Sequence, residues 1–383
     1  MTDLVRARLQ QVAAKVSQRR DLIEADSAGE AIIRGELVLI SPSATVLIAA
    51  RAEGFIVLRD RTLDALEMRF VTVRAPPGWD TPRALRRLRE LDPQVTVDFH
   101  HLYLESGSVA SNGNVRPAPT PLPSTSAANH VKVGLIDGGV ETDHAALRGA
   151  SIHAWGCGGT KIASAHGTAL ASLLVGHADR FRSAAPQATL YAADVYCNDP
   201  VGGSVEAVAV AIGWLLGEQV PVVNISLVGP ANRVLELVVK KAASKGMLFV
   251  AAVGNDGPAA PPLYPAAYPD VVAVTAVDAR GKVIPEACRG PHVAFAAPGS
   301  DMAVAGLGRA GFASARGTSF AAPLVAGILA QTMPSPDITA ARSAIAGLAR
   351  TAVDAGAPGR DDVYGYGIVA SDLRTEPAVV MAR

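Results

Sequence analysis

The sequence is short of cysteine, aromatic residues and charge, and it has no long apolar run. Three cysteines in 383 residues, with no CxxC spacing, exclude a disulfide framework and argue against a zinc site. Lys+Arg and Asp+Glu stand at 35 each, so the formal charge is +0 and there is no global pull towards nucleic acid or an anionic membrane. The apolar runs, ATVLIAA and VVNISLV among them, reach about seven residues, against the roughly twenty that a membrane helix needs. No nucleic-acid partner and no membrane span are therefore expected. The N-terminus, MTDLVRARLQQVAAKVSQRRDLIEAD, mixes charges throughout and does not read as a signal peptide. The compartment stays open between the cytoplasm and export. What the chain does have is 49% hydrophobic residues against 18% charged, a balance that makes a folded α/β protein.

One compositional break divides it. Residues 105–129, ESGSVASNGNVRPAPTPLPSTSAAN, are crowded with Ser, Pro, Gly and Asn and read as an exposed, cleavable linker. Upstream, 36–104 carries strand and helix signals in the order β-α-β-β-α-β. Strands are expected at Glu36–Ile40, Phe55–Leu58, Leu66–Arg74 and Val95–Phe99, and helices at Ala44–Ala52 and Thr81–Leu91, the second with Pro82 at its first position. That order is the ferredoxin-like, split βαβ unit. Arg83, Arg86, Arg87 and Arg89 read as a solvated helix face, and His100-His101 as strand surface. Residues 1–35 form a charged, helical extension with no legible role.

Downstream, 130–383 alternates buried-strand runs (VKVGLI, TLYAADV, VVNISL, MLFVAAV, VVAVTAV, VAFAAP) with helices near His166–His177, Gly203–Gly217, Ala231–Lys245 and Ser319–Thr332. Near-continuous apolar strands separated by helices imply a mainly parallel sheet covered on both faces, in three layers, with its working site at the carboxyl ends of the strands.

Three segments place reactive side chains at such ends. In VKVGLIDGGV, Asp137 closes an apolar strand; alone it reads equally as a turn or capping aspartate. In AHGTALASLL, His166 opens a helix, where the dipole disfavours imidazolium. In ARGTSFAAPLVAG, Pro323 is tolerated only near a helix start, which puts the start at Thr318 or Ser319 and Ser319 at its mouth; alone it reads as a cap. Together they supply acid, base and nucleophile. A serine hydroxyl attacks only when an imidazole takes its proton, and the imidazole needs a carboxylate to fix its tautomer. No GxSxG elbow surrounds Ser319, and the order Asp–His–Ser is not that of the α/β-hydrolases.

Over Val131–Leu373 the sequence resembles the subtilisin-like serine proteases, in the segments IDGGV, HGTALA and GTSFAAPLVAG. The resemblance implies a subtilisin-like three-layer domain, a triad of Asp137, His166 and Ser319, and polypeptide substrates. It implies an oxyanion donor in Asn255 of FVAAVGNDG, which otherwise reads as a turn residue. It assigns Ser226, Leu227 and Val228 of NISLVGP to a substrate-pairing edge, with Val228 where glycine is common. Ala252, Gly254 and Ala266 would line the pocket for the residue before the scissile bond. Ala266 stands where glycine is usual, so small or medium apolar residues are expected there. LRRLRELDPQVTVDFHHLYL resembles the propeptides of bacterial subtilases, which makes 36–104 an intramolecular inhibitor and 105–129 the site of self-cleavage.

No cofactor is expected. Many members of that family bind calcium, but no dense carboxylate loop is present and none is expected here; Asp143 and His144 read as turn and supporting residues rather than metal ligands. Cys157 and Cys197 could pair in an exported chain, leaving Cys288 free. Two competitors remain: a degenerate, non-catalytic binding module, which would have lost one of Asp137, His166, Asn255 or Ser319, and an esterase or peptide ligase on the same fold.

Overall fold

The computed structural model describes residues 3–110, 131–308 and 311–381. Most of the expected linker lies outside them. The C-terminal domain is built on seven strands: β8 (Lys132–Asp137), β9 (Ile152–Gly156), β10 (Thr189–Asp194), β11 (Val222–Ile225), β13 (Leu248–Ala252), β14 (Val271–Val277) and β15 (Val293–Pro298). They run in the order β15-β14-β13-β11-β8-β10-β9, every neighbouring pair parallel. Period-two alternation sends side chains to opposite faces, so a doubly covered sheet needs apolar residues at every position. In β13, Leu248, Val250 and Ala252 join the cluster under α4 (Ala165–Val175) and α7 (Thr318–Ala330). Phe249 and Ala251 join the cluster under α5 (Val205–Gly217) and α6 (Arg233–Ser244). These are the three layers that the apolar runs imply.

The N-terminal domain is one antiparallel sheet. Its ferredoxin-like part comprises β2 (Ala31–Ile40), α2 (Ala44–Ala52), β3 (Ile56–Leu63), β4 (Met68–Arg74), α3 (Thr81–Leu91) and β5 (Thr96–His101). Asp80 caps α3, accepting the Arg83 N–H at 2.6 Å. Three boundaries differ from expectation by more than two residues. The strand expected at Phe55–Leu58 runs on to Leu63. The unit begins before residue 36, because β2 runs unbroken from Ala31 through Gly35 and β1 (Ile23–Ala25) pairs with its start. Only Asp3–Gln18 of the extension is helical, as α1.

The alternation in β2 shows how the two domains meet. Leu37 and Leu39 pack with α2 and α3, whereas Val38 and Ile40 enter the apolar cluster of α5 and α6. In β4, Val71 and Val73 face inward, and Met68 and Phe70 face the other domain. Each such side chain contributes about 2 kcal/mol when removed from water. The N-terminal sheet is thus buried on both faces only while it is docked.

Candidate active site

Asp137 is the last residue of β8, in mid-sheet, and is fully buried. Ser164 caps α4 by accepting the Gly167 N–H at 2.9 Å, which brings His166 into the first turn. A side chain on Gly167 would collide with the Gly138 carbonyl, so the glycines of the two motifs let the turn after β8 and the start of α4 touch. The contact places His166 Nδ1 2.9 Å from Asp137 Oδ1 and 3.0 Å from Oδ2.

Ser319 is the second residue of α7 and is fully buried. Pro323 has no N–H, so the Ser319 carbonyl four residues back loses its helical partner. The Ser226 hydroxyl fills that place, donating to the Ser319 carbonyl at 3.1 Å. Ser319 Oγ donates in return to the Ser226 carbonyl at 3.3 Å. Asn255 follows β13, and the Thr318 N–H donates to its Oδ1 at 3.0 Å. That bond fixes the amide so that its NH₂ faces the site. Thr318 Oγ1 also accepts the Gly254 N–H at 3.1 Å. Thr318 is a positioning residue that the motif reading passed over.

Of the residues expected at the substrate edge and pocket, Ser226 exchanges hydrogen bonds with Ser319, and Leu227 and Val228 form the short edge strand β12 (Leu227–Val228). Ala252 ends β13 and is wholly buried in the core, and Gly254 follows two residues on, also buried. Ala266 is wholly buried in the apolar core; the side chain that meets Gly254 is Leu263.

The cleft is filled by the chain itself. The segment expected to begin the linker forms two short strands, β6 (Leu104–Glu105) and β7 (Ser108–Ala110), because unpaired edges on the C-terminal domain offer them partners. β6 pairs antiparallel with β12, Leu104 opposite Val228 and Glu105 opposite Leu227. β7 pairs antiparallel with β17 (Phe312–Arg316), Ser108 opposite Arg316. Between them, the Ser106 carbonyl oxygen lies 3.2 Å from His166 Nε2, and Asn255 Nδ2 donates to Ser106 Oγ at 2.7 Å.

The electrostatics follow from this filling. Burial alone would push His166 down, but the carboxylates of Asp137 and Glu105 outweigh it and raise the imidazole to about 9. Both ring nitrogens then donate, Nδ1 to Asp137 and Nε2 to the Ser106 carbonyl. The end of Glu105 lies within 4.8 Å of Asp137 and His166, where desolvation and the Asp137 charge push its carboxyl up to about 6. Ser319 Oγ donates to the Ser226 carbonyl rather than to His166.

The helix α1 lies above the crossing segment. Arg8, 8% exposed, pairs with Glu30 at 2.9 Å and with Asp256, the neighbour of Asn255, at 3.3 Å. His100 and His101 are not strand surface: they are 1% and 3% exposed, each enclosed by residues of its own domain and of the other. His100 contacts Glu36 at 3.0 Å, and His101 faces Asp26 at 3.2 Å and Asn232 at 2.9 Å. A strand read alone does not reveal a covering layer supplied by residues more than a hundred positions away. Glu206 of α5 binds Arg59 at 2.8 Å and the Thr72 hydroxyl at 2.7 Å.

Among the described residues two groups have metal-ligand spacing: Glu105 with Asp137 and His166, and Asp194 with Cys157 and Cys197. The first is the site just described. In the second the sulfurs are joined as a disulfide, with Cα atoms 5.1 Å apart, so neither is a free thiolate. Cys288 is unpaired and buried. His144 Nε2 contacts the Gly311 carbonyl at 2.9 Å, a supporting contact.

Comparison with known proteins agrees with this architecture. The chain is 31% identical over 248 residues to the minor extracellular protease Epr of Bacillus subtilis, which covers 63% of this chain and 38% of Epr. It is 30% identical over 277 residues to subtilisin E of Bacillus subtilis, covering 69% of this chain and 72% of that protein. Among solved structures, fervidolysin from Fervidobacterium pennivorans, described as a keratinolytic enzyme related to subtilisin, superposes with a TM-score of 0.71 at 18% identity. That likeness spans 92% of this chain and 62% of fervidolysin, and it shows the fold. The prenylagaramide maturation protease PagA matches 64% of this chain and 93% of its own, at 26% identity and a TM-score of 0.55. Residues 128–367 match the family model of the subtilases, peptidase S8, and the chain belongs to that family.

Proposed function

We propose that this chain is a serine endopeptidase made in a self-inhibited form. In this reading Ser319 Oγ attacks the scissile carbonyl and His166 takes its proton. Asp137 holds the imidazole and stabilises its charge, while the Asn255 amide and the Ser319 N–H hold the oxyanion. The acyl-enzyme is released by water, and the chemistry needs no cofactor. The N-terminal domain acts as the inhibitor.

The observation that carries the reading is the path of Leu104–Ala110. It crosses the site in extended pairing on both sides, as an intended polypeptide substrate would by strand addition. It also accounts for inhibition, since its Ser106 takes both His166 Nε2 and the Asn255 amide. Before attack, His166 must lose a proton and the Ser106 carbonyl must turn to Asn255.

The reading is tested with a fluorophosphonate probe and a peptide mixture, on wild type and Ser319→Ala. Labelling and hydrolysis that both vanish in Ser319→Ala support it. Wild type that stays unlabelled and hydrolyses nothing, even after an added protease has removed the first 129 residues, would make the protein a binding module. Labelling with ester cleavage or aminolysis but no peptide hydrolysis would make it an esterase or ligase.

A further inference from the structure

The chain just before β6 leans on a second wall. The Tyr103 N–H donates to the Gly203 carbonyl at 2.7 Å, the Tyr196 hydroxyl donates to the Tyr103 carbonyl at 3.1 Å, and Leu102 bridges Ser204. A side chain on Gly203 would collide with the Tyr103 carbonyl, so the glycine permits this approach. Residues 195–204, the connection from β10 to α5, thus grip the entering chain at Leu102 and Tyr103, and Val228 pairs with the next residue, Leu104.

That second wall is braced at one end. Cys197, in its turn, is joined by the disulfide to Cys157, which follows the edge strand β9. The Asp194 carboxylate accepts the N–H groups of Tyr196 and Cys197, both at 2.9 Å. Cys157 has φ +52, Cys197 +51 and Asn198 +52, a region that residues with side chains seldom adopt. Backbone of this kind persists only where its surroundings over-determine it, and the crosslink joins two of the three residues concerned. Both cysteines are half-buried, and an open cavity of about 370 Å³ lies against them, lined also by Gly156, Asp194, Tyr196 and Gly202. A small reductant can reach the bond there, and the turn has room to move.

We propose that the Cys157–Cys197 disulfide is a redox-sensitive brace of the wall 195–204, and that reducing it loosens the hold on Tyr103 and uncovers Ser319. The consequence for Ser319 rests on the peptidase reading above; the loosening does not. A dithiol supplies the two electrons and two protons. Its first thiolate displaces one protein sulfur, and its second releases the other as the reductant closes its own disulfide, leaving Cys157 and Cys197 as thiols. Without the crosslink the turn at Cys197 and Asn198 relaxes, and the Tyr196 hydroxyl and the Gly203 carbonyl move with it. The pairing of β6 with β12 and of β7 with β17 remains, so the crossing segment opens more often without leaving.

The test is hydrogen exchange of full-length Ser319→Ala, oxidised and after dithiothreitol in native buffer. Alkylation of the unfolded chain should count one free thiol, Cys288, in the first state and three in the second. Reduction is expected to speed exchange at the Tyr103 and Gly203 amides roughly tenfold and to leave β13 and β14 unchanged. A disulfide that merely stabilised the fold would not single out those two amides. In freshly purified wild type, reduction should speed fluorophosphonate labelling of the intact chain and reoxidation should slow it again. Cys157→Ser with Cys197→Ser should behave as the reduced chain under both conditions. Three free thiols with unchanged exchange at Tyr103 and Gly203, or with exchange raised equally in β13 and β14, would overturn the inference and leave the peptidase reading standing. Faster local exchange without faster labelling, in a protein whose cut form does label, would overturn the link to Ser319. Faster local exchange with Ser319 unlabelled in every state, even after removal of the first 129 residues, would remove the peptidase reading while the brace stands.

Discussion

Both faces of the C-terminal sheet are covered by helices of its own domain, whereas the N-terminal sheet owns the cover of one face only. In the first, α4 and α7 close one side and α5 and α6 the other, over strands that are apolar at almost every position. In the second, α2 and α3 close one side, and the other borrows α5 and α6. The borrowed interface is also the more polar. Beside Val38 and Phe70 it holds Glu36, Arg59, Thr72, His100 and Glu206 in one bonded group. An all-apolar layer commits a chain permanently; an apolar layer laced with charge can be docked and later released. The difference suits the proposed roles, a catalytic domain joined to an inhibitor that is later released.

Perturbing the site itself should produce the largest effects. Asp137→Asn should cut the rate of self-processing by roughly 10⁴-fold, read by intact mass, while leaving the fold unchanged by circular dichroism. Asn255→Ala should cost roughly 10²–10³-fold in the same assay, through loss of one oxyanion donor.

The pH dependence sharpens the comparison next. His166, raised to about 9 in the docked state, must be neutral to act as a base, so self-processing should accelerate as pH rises towards about 9. Its contribution to the stability of the docked form is fully present below the ordinary 6.5 and is lost as pH rises through about 9. Glu105→Gln removes a neighbouring negative charge and should move the midpoint of the rate profile down. Glu36 behaves oppositely. Burial would raise it, but His100 and Arg59 hold it down at about 2, so its contribution is present above about 4.5 and lost as pH falls towards 2. Docking should weaken on that acid side, read by thermal unfolding across the pH range.

Smaller effects belong to the interface. Glu206→Ala leaves Arg59 and the Thr72 hydroxyl without their shared acceptor and should lower the stability of the intact chain by about 2 kcal/mol. Fluorophosphonate reactivity of the cut form should stay the same, because Glu206 is outside the site. At the bottom of the scale is Glu67, which pairs with Lys241 and Lys245 across the same interface but is fully in solvent. Glu67→Ala should leave the melting temperature unchanged within error. A large loss there would mean that surface charge, not the apolar layer, holds the domains together.

The residues at the strand ends were legible because local sequence encodes them. An apolar run ending in Asp137 and a proline that pins the start of α7 near Ser319 are short-range signals. The three-layer fold was legible for the same reason, since a doubly covered strand needs no partner information to be recognised. What escaped depends on distant partners. Glu105–Ala110 reads as the start of a linker, yet together with Leu104 it forms two strands because Leu227–Val228 and Phe312–Arg316 offer open edges. His100 and His101 read as surface, yet they are covered by residues from the other domain. Leu263 escaped because only packing says whose side chain meets Gly254.

The central claim is that the crossing segment keeps Ser319 from reacting until the chain is cut. The direct measurement is mass-resolved fluorophosphonate labelling of a freshly purified sample, following intact and cut species separately over time. The account predicts adduct on the cut C-terminal fragment and almost none on the intact chain, with adduct appearing in step with cleavage. An intact chain that labels as fast as the fragment would contradict it.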